Sequence, residues 1–127
     1  MHKFDTIDSY YTEEIQRLAK IGLWHLDMAT NNYSVSEYFY DIYEASESVP
    51  PTLNEIYLCY EPDSRTVLVE KAMLARNEGL AYDVELILTT LKGNRRWIRM
   101  ICKPNIVDGK VTELLGVLQD ITEKKKN

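Results

Sequence analysis

The stretch VTELLGVLQDITEKKK, Val111 to Lys126, decides the fold. Read as a strand, it is apolar on both alternating faces, with Leu114 and Leu118 on one and Leu115, Val117 and Ile121 on the other. A half-exposed strand would alternate cleanly, so two apolar faces describe a central strand covered on both sides. The strand ends at Asp120-Ile121-Thr122 and runs into Glu123-Lys124-Lys125-Lys126. Thr122 is placed to N-cap a helix, with Glu123 in its positive first turn. The middle of the core would then be wired directly to an element leaving the domain. A last strand with a frayed tail is the competing reading.

Working back from that strand, Asp108-Gly109 is a hairpin turn and Arg95 to Lys103 is its partner strand. Ile98, Met100 and Cys102 fall on one face of this partner, and Trp97, Arg99 and Ile101 on the other. Lys92-Gly93-Asn94 turns into a further strand, Tyr82 to Thr90, with Val84, Leu86 and Leu88 in register. Before it, Glu61-Pro62-Asp63-Ser64-Arg65 opens a helix to about Asn77, with Pro62 in the first turn and Gly79 as the stop. Shorter helices are expected after Ser36, which can act as a cap, and across Leu53 to Cys59. Ile21 to Asp27 and Tyr33 to Ser36 form a hairpin through Asn31-Asn32. At the start, Ile7, Tyr11, Ile15 and Leu18 recur at helical spacing, predicting an amphipathic helix over 6–20. The order of elements is that of an α+β domain with an antiparallel sheet and helices gathered on one face.

Composition narrows the function classes. The 127 residues suit one domain; 45% are hydrophobic and 28% charged, with a mean hydropathy of -0.33. The net charge of -5 and pI near 5.0 argue against nucleic acid and anionic membrane as partners. Arg95, Arg96 and Arg99 cluster, but read as solvated charge. Cys59 and Cys102 are too few and too far apart for a metal site or disulfide framework. No apolar run has membrane-span length and no signal region opens the chain, so a cytoplasmic location is expected.

Taken together, several of these residues resemble a PAS domain of the subgroup with a first-strand tryptophan. They are Ile21-Gly22-Leu23-Trp24 through Asp27, Ser36, Glu61-Pro62-Asp63-Ser64-Arg65, Gly93 to Trp97, Asp108-Gly109, Gly116-Val117 and Asp120-Ile121-Thr122. Each motif alone is weak; their order and spacing are specific, and the resemblance spans residues 12–126. It implies a PAS fold: a five-stranded antiparallel sheet with the last strand central, short helices on one face around a small cavity, and the N-terminal helix on the other face. It implies a sensory or interaction role beside an effector in a longer signalling chain, such as a histidine kinase or diguanylate cyclase. The expected divisions are the N-terminal helix over 1–20, the PAS domain over 21–122, and the start of a linker helix over 123–127.

If the resemblance holds, alternation assigns the faces. Trp24, Leu26, Val84, Leu86, Leu88, Ile98, Met100, Cys102, Leu114 and Leu118 should face the cavity, with Tyr43, Tyr57 and Ser36 as the polar groups able to orient a ligand. Flavin-binding members present amide side chains, but the matching positions here look like Leu88, Ile98 and Leu118, which form no hydrogen bonds. Their reactive-cysteine motif is absent around Leu58-Cys59-Tyr60. Haem-binding members use a histidine from the long helix, and none lies between Pro62 and Gly79; His25 should point away from the cavity. The reading therefore carries no flavin and no haem, and leaves a cavity either filled by its side chains or open to a small apolar ligand.

The opposite face, with Leu23, Ile87, Trp97, Ile101, Leu115, Val117 and Ile121, is too apolar to stay wet. Cover from the N-terminal helix or a second copy of the chain is expected. The leading function is a sensory and dimerisation module acting through Asp120, Ile121 and Thr122 as the signal junction. A ligand-free interaction domain is the alternative. A small cavity enzyme is disfavoured, because no nucleophile, acid-base pair or phosphate loop converges in the sequence. The chain reads as a fragment of a longer protein.

Overall fold

The computed structural model describes residues 9–126, with side chains from Tyr11 onward. Five antiparallel strands form one sheet: β1 (Ile21–Asp27), β2 (Tyr33–Val35), β3 (Tyr82–Thr89), β4 (Arg95–Val107) and β5 (Lys110–Asp120). Their order across the sheet is β2-β1-β5-β4-β3, which puts the last strand in the centre. Helices α1 (Ser9–Ala19), α2 (Glu37–Tyr43), α3 (Leu53–Cys59), α4 (Pro62–Glu78) and α5 (Thr122–Lys125) complete the chain. This is the α+β arrangement that the order of elements implies.

The registers explain why β5 is apolar on both faces. On the helix side, Trp24, Gly116, Cys102 and Tyr82 stand in one row across four strands, and Gly22, Leu118, Met100 and Val84 in the next. This face is the core: Leu86, Leu88, Ile98 and Leu118 are essentially sealed, against Phe39, Ile42 and Tyr43 of α2 and Leu68 and Ala75 of α4. On the other side Leu23, Val117 and Ile101 form an apolar row that is only half buried.

Local chemistry sets the helix ends. Thr52 caps α3 and Glu55 returns the bond, a capping box that closes both free amides. Pro62 occupies the first turn of α4, and Gly79 ends it at φ +68°. Ser36 stands at the N-cap position of α2, but its Oγ accepts the Leu23 amide of β1 (2.8 Å) instead of capping. The expected cap is thus a tie between the helix and the sheet. Strand β4 runs four residues past its expected end at Lys103, because Pro104 faces Leu114 without needing a donor there.

Two placements differ from the sequence reading. The helix α1 does not cover the outer face of the sheet: Arg17 ties it to Glu37 and Asp41 of α2 (3.5 and 3.2 Å), while Ile15 and Leu18 remain 49% and 83% exposed. Tyr11 is exposed as well, and Ile7 lies outside the described residues. Ile121, expected on the outer face, is buried at 5% exposure. Strand β5 has ended at Asp120, so the strict alternation no longer applies, and the Ile121 amide donates to the Trp97 carbonyl (2.9 Å).

Candidate functional site

Two sites are joined by β5: a cavity under the helices and the junction at the strand's end. The cavity exists because Trp24 lies flat over a glycine. A Cβ at Gly116 would stand 1.7 Å from the Trp24 ring, so only glycine lets the indole rest on the β5 backbone. The indole N–H donates to Met100 Sδ (3.3 Å), and the ring stacks on Tyr33 at 6.1 Å. What remains beside it is a space of about 50 Å³.

Of the expected cavity residues, Trp24, Leu26, Tyr43, Met100 and Leu114 line this space, as does Tyr57. Leu86, Leu88, Ile98 and Leu118 do not, and neither do Val84 and Cys102. These four side chains are sealed in the core outside the cavity, and Leu88 pairs with Tyr60 through a backbone bridge. Ser36 is occupied by the Leu23 amide. Helices supply the walls that alternation along strands could not assign: Phe39 from α2, Ile56 from α3, and Leu68, Ala72 and Arg76 from α4. The i, i+4 spacing of Leu68, Ala72 and Arg76 is the signal that would have found them.

The polar side chains lining the cavity are few. Inside, the Tyr43 and Tyr60 hydroxyls bond each other at 2.6 Å, and burial holds both phenols well above their ordinary pKa. Tyr33, Tyr57, Tyr82 and Arg76 are the other polar side chains that line it, and of these Tyr33 is the most exposed. Desolvation raises Tyr33 most, Tyr57 adds to this, and the Arg76 charge opposes it. Tyr57 is likewise raised by burial and lowered by Arg76. The Cys102 thiol, behind Tyr82, is pushed up to about 11 by burial and is a poor nucleophile.

The junction is a hydrogen-bonded knot. Asp120 Oδ1 accepts the Thr122 amide (3.0 Å) and hydroxyl (2.6 Å), and Thr122 Oγ1 accepts the Trp97 amide (3.1 Å). Thr122 is therefore the first residue of α5 and not its cap; Ile121 holds the cap position without a side-chain bond. Asp120 Oδ2 lies 3.8 Å from Arg96 Nε. Arg96 also donates to the carbonyls of Asp41 and Ile42 (both 2.9 Å) and lies 3.7 Å from Glu44. Glu44 accepts from Thr90 (2.7 Å) and Asn94 of the β3–β4 turn. Arg95 pairs with Glu61 and Arg99 with Asp83 (2.7 and 2.6 Å). Arg95 and Arg99 remain solvent-exposed while paired, and Arg96 is the more buried of the three. Beyond the knot, Lys125 reaches Glu85 (2.5 Å) and covers the Trp97 ring at 4.8 Å.

On the outer face, Leu115 is exposed, and Trp97, Ile101 and Val117 are half-buried. His25 faces outward too, 3.3 Å from Glu113 and away from the cavity. Among the described residues no group of three or more metal-ligating side chains gathers, and no helix is long and apolar enough to cross a membrane.

This sheet order, with helices enclosing a cavity against its inner face, is the PAS fold. Solved structures bear this out. The chain superposes on a sensory box histidine kinase/response regulator from Burkholderia thailandensis with a TM-score of 0.70, at 23% identity over 90% of this chain and 86% of that one. It superposes on the N-terminal domain of a diguanylate cyclase with PAS/PAC sensor from Marinobacter aquaeolei with a TM-score of 0.72, at 15% identity over 84% and 99%. In sequence it is 28% identical over 112 residues to a blue-light-activated histidine kinase from Brucella anthropi, covering 88% of this chain and 22% of the kinase. The chain thus spans about a fifth of the length of the curated relatives it matches. No family model matches. Other matching structures are light-oxygen-voltage domains, one of them studied with a flavin analogue, so flavin chemistry occurs among the neighbours of this fold.

Proposed function

We propose that this chain is a non-catalytic sensor module that regulates an effector domain in the same longer protein, a histidine kinase or a diguanylate cyclase. One observation carries the reading: β5 lines the cavity with Leu114 and ends in the Asp120–Thr122 knot that launches α5. A change in the cavity that shifts β5 must act on the knot, and the knot can break in only a few discrete ways. The whole-chain relatives carry kinase activity, and the fold neighbours include both kinase and cyclase sensors. The effector side and this domain belong on the cytoplasmic face in this reading.

The residues present do not fit a flavin. Pockets that enclose drug-sized ligands run to roughly 300–1,000 Å³, against about 50 Å³ here. Trp24 occupies the space over β5, and Leu88, Ile98 and Leu118 are sealed outside the cavity. The light sensing of the relatives is therefore not carried over. The small cavity also favours a second reading, in which the domain only pairs subunits and binds nothing. Mass spectrometry of small molecules released from the purified protein separates the two.

Pairing is part of both readings. The half-buried row Leu23, Val117 and Ile101, with Leu115 and the exposed stripe of α1, suits a second copy of the chain.

The test of the sensor reading is Asp120→Ala in the full-length parent protein. The substitution removes both bonds to Thr122 and the Arg96 partner but leaves the core untouched. The expected outcome is effector output that no longer follows the signal, with an unchanged circular dichroism spectrum. Fully regulated output in this variant overturns the reading.

A further inference from the structure

We propose that the cavity recognises a short-chain monocarboxylate, of acetate to butyrate size, with its carboxylate on Arg76 and its alkyl end against Trp24. The inference rests on the sensor reading and adds the chemical class of the ligand.

Among the described residues, Arg76 is the only cationic side chain lining the cavity. It projects from the last turn of α4, and makes no ion pair or hydrogen bond with another described residue. Every other arginine in the described chain has such a partner: Arg17, Arg65, Arg95, Arg96 and Arg99 are all paired. A guanidinium keeps its charge in any protein environment and presents a planar fork that matches a carboxylate in two parallel bonds. Tyr33 and Tyr57 line the same cavity, and each of their phenols feels the Arg76 charge. Both hydroxyls can donate to the same anion.

The interior sets the rest of the ligand. Away from Arg76 the walls are mainly Trp24, Leu26, Phe39, Ile56 and Leu114; Tyr43, whose hydroxyl is bonded to Tyr60, and Tyr82 are the polar exceptions, so the second half of the molecule meets a largely apolar surface. A dicarboxylate would bury an unpaired charge there, and inorganic phosphate would place polar oxygens against these walls, both costly. The length is set by the volume. The space of about 50 Å³ is several times the roughly 10–15 Å³ a cavity needs to hold one water, and far below a drug-sized pocket. That leaves room for a few carbon atoms.

The site connects to the junction through two lining residues. Leu114 lies on β5, and Tyr43 is the last residue of α2, next to Glu44 in the Arg96 network.

The experiment is titration of the 127-residue chain with sodium propionate at constant ionic strength, followed by amide and indole proton shifts in nuclear magnetic resonance. The expected result is saturable movement of the Trp24 indole signal and of amides around Arg76, with Arg76→Gln weakening binding at least about tenfold. Arg76→Lys should recover part of the affinity, and 1-propanol should bind at least about tenfold more weakly than propionate. Melting temperature checks that the variants remain folded. Three results overturn the proposal: no saturable shift with propionate, equal binding of propionate and propanol, or unaltered affinity in Arg76→Gln. None of them bears on the Asp120→Ala outcome, so the ligand class and the sensor role fail separately.

Discussion

Gly116 shows how one missing side chain can shape a domain. The Trp24 indole needs the β5 backbone as its floor, and a methyl group at 116 would lie 1.7 Å from it. Gly116→Ala must push the indole into the cavity or the strand out of the sheet. Overpacking of this kind costs about 1–3 kcal/mol, sometimes more. Chemical denaturation should show that loss, together with loss of the Trp24–Met100 contact. Trp24→Leu in the same chain should recover part of it, since the smaller side chain vacates the contested space. A Gly116→Ala variant as stable as the parent would mean that the ring is free to move aside.

At the scale of elements, the same reasoning applies to the network around Arg96. It binds the C-terminal end of α2, the β3–β4 turn and the end of β5 into one unit. Glu44 is its acidic hub. The Asn94 amide and the Thr90 hydroxyl, and then the Arg96 charge, hold it below its ordinary value of 4.5. A carboxyl whose folded pKa is depressed contributes stability that is complete above its unfolded value and is lost as pH falls through the folded one. Glu44→Gln should therefore cost about 1–2 kcal/mol at neutral pH and flatten the loss of stability on acidification below about pH 4.5. Melting temperatures of both proteins across that range provide the check; parallel curves would remove Glu44 from the account.

Strands were more legible in the sequence than walls. The alternation of β3, β4 and β5 and the turns at Gly93 and Gly109 are local signals, and they placed the sheet and its central strand. Alternation also separated inner from outer faces correctly as far as Asp120. It could not say where along the inner face a void remains, because that depends on which helix lies above each residue. Leu88 and Leu26 share a face and a chemistry, yet one is sealed in the core and the other lines the cavity. Arg76 was passed over for the same reason: on a helix of mixed polarity a lone arginine looks like surface. The arginines of β4 looked like a charge cluster because their partners Asp41, Glu44, Glu61 and Asp83 come from distant parts of the chain.

For the whole molecule, the unmet demand is the outer sheet face. The N-terminal helix was expected to cover it, but Arg17 draws that helix beside α2, and Leu18 is left in water. In the proposed pairing, the row through Val117 and the stripe of α1 would meet the same partner. A second copy offers both at once, since a two-fold contact is self-complementary. Light scattering at high micromolar concentration should give twice the mass of 14.8 kDa, and Val117→Arg should halve it without lowering the melting temperature. A monomeric mass for the parent chain would leave the pairing without support.

The chain carries two tryptophans, and the fold has set them at opposite ends of one route. Trp24 lies on the floor of the cavity; Trp97 lies under Lys125, where the departing helix is fastened. Trp24→Phe and Trp97→Phe each leave a single emitter. On the proposed sensor reading, one would report on what enters the domain and the other on what leaves it. The delay between the two signals after rapid mixing would time the passage along β5 in a protein that needs no added dye.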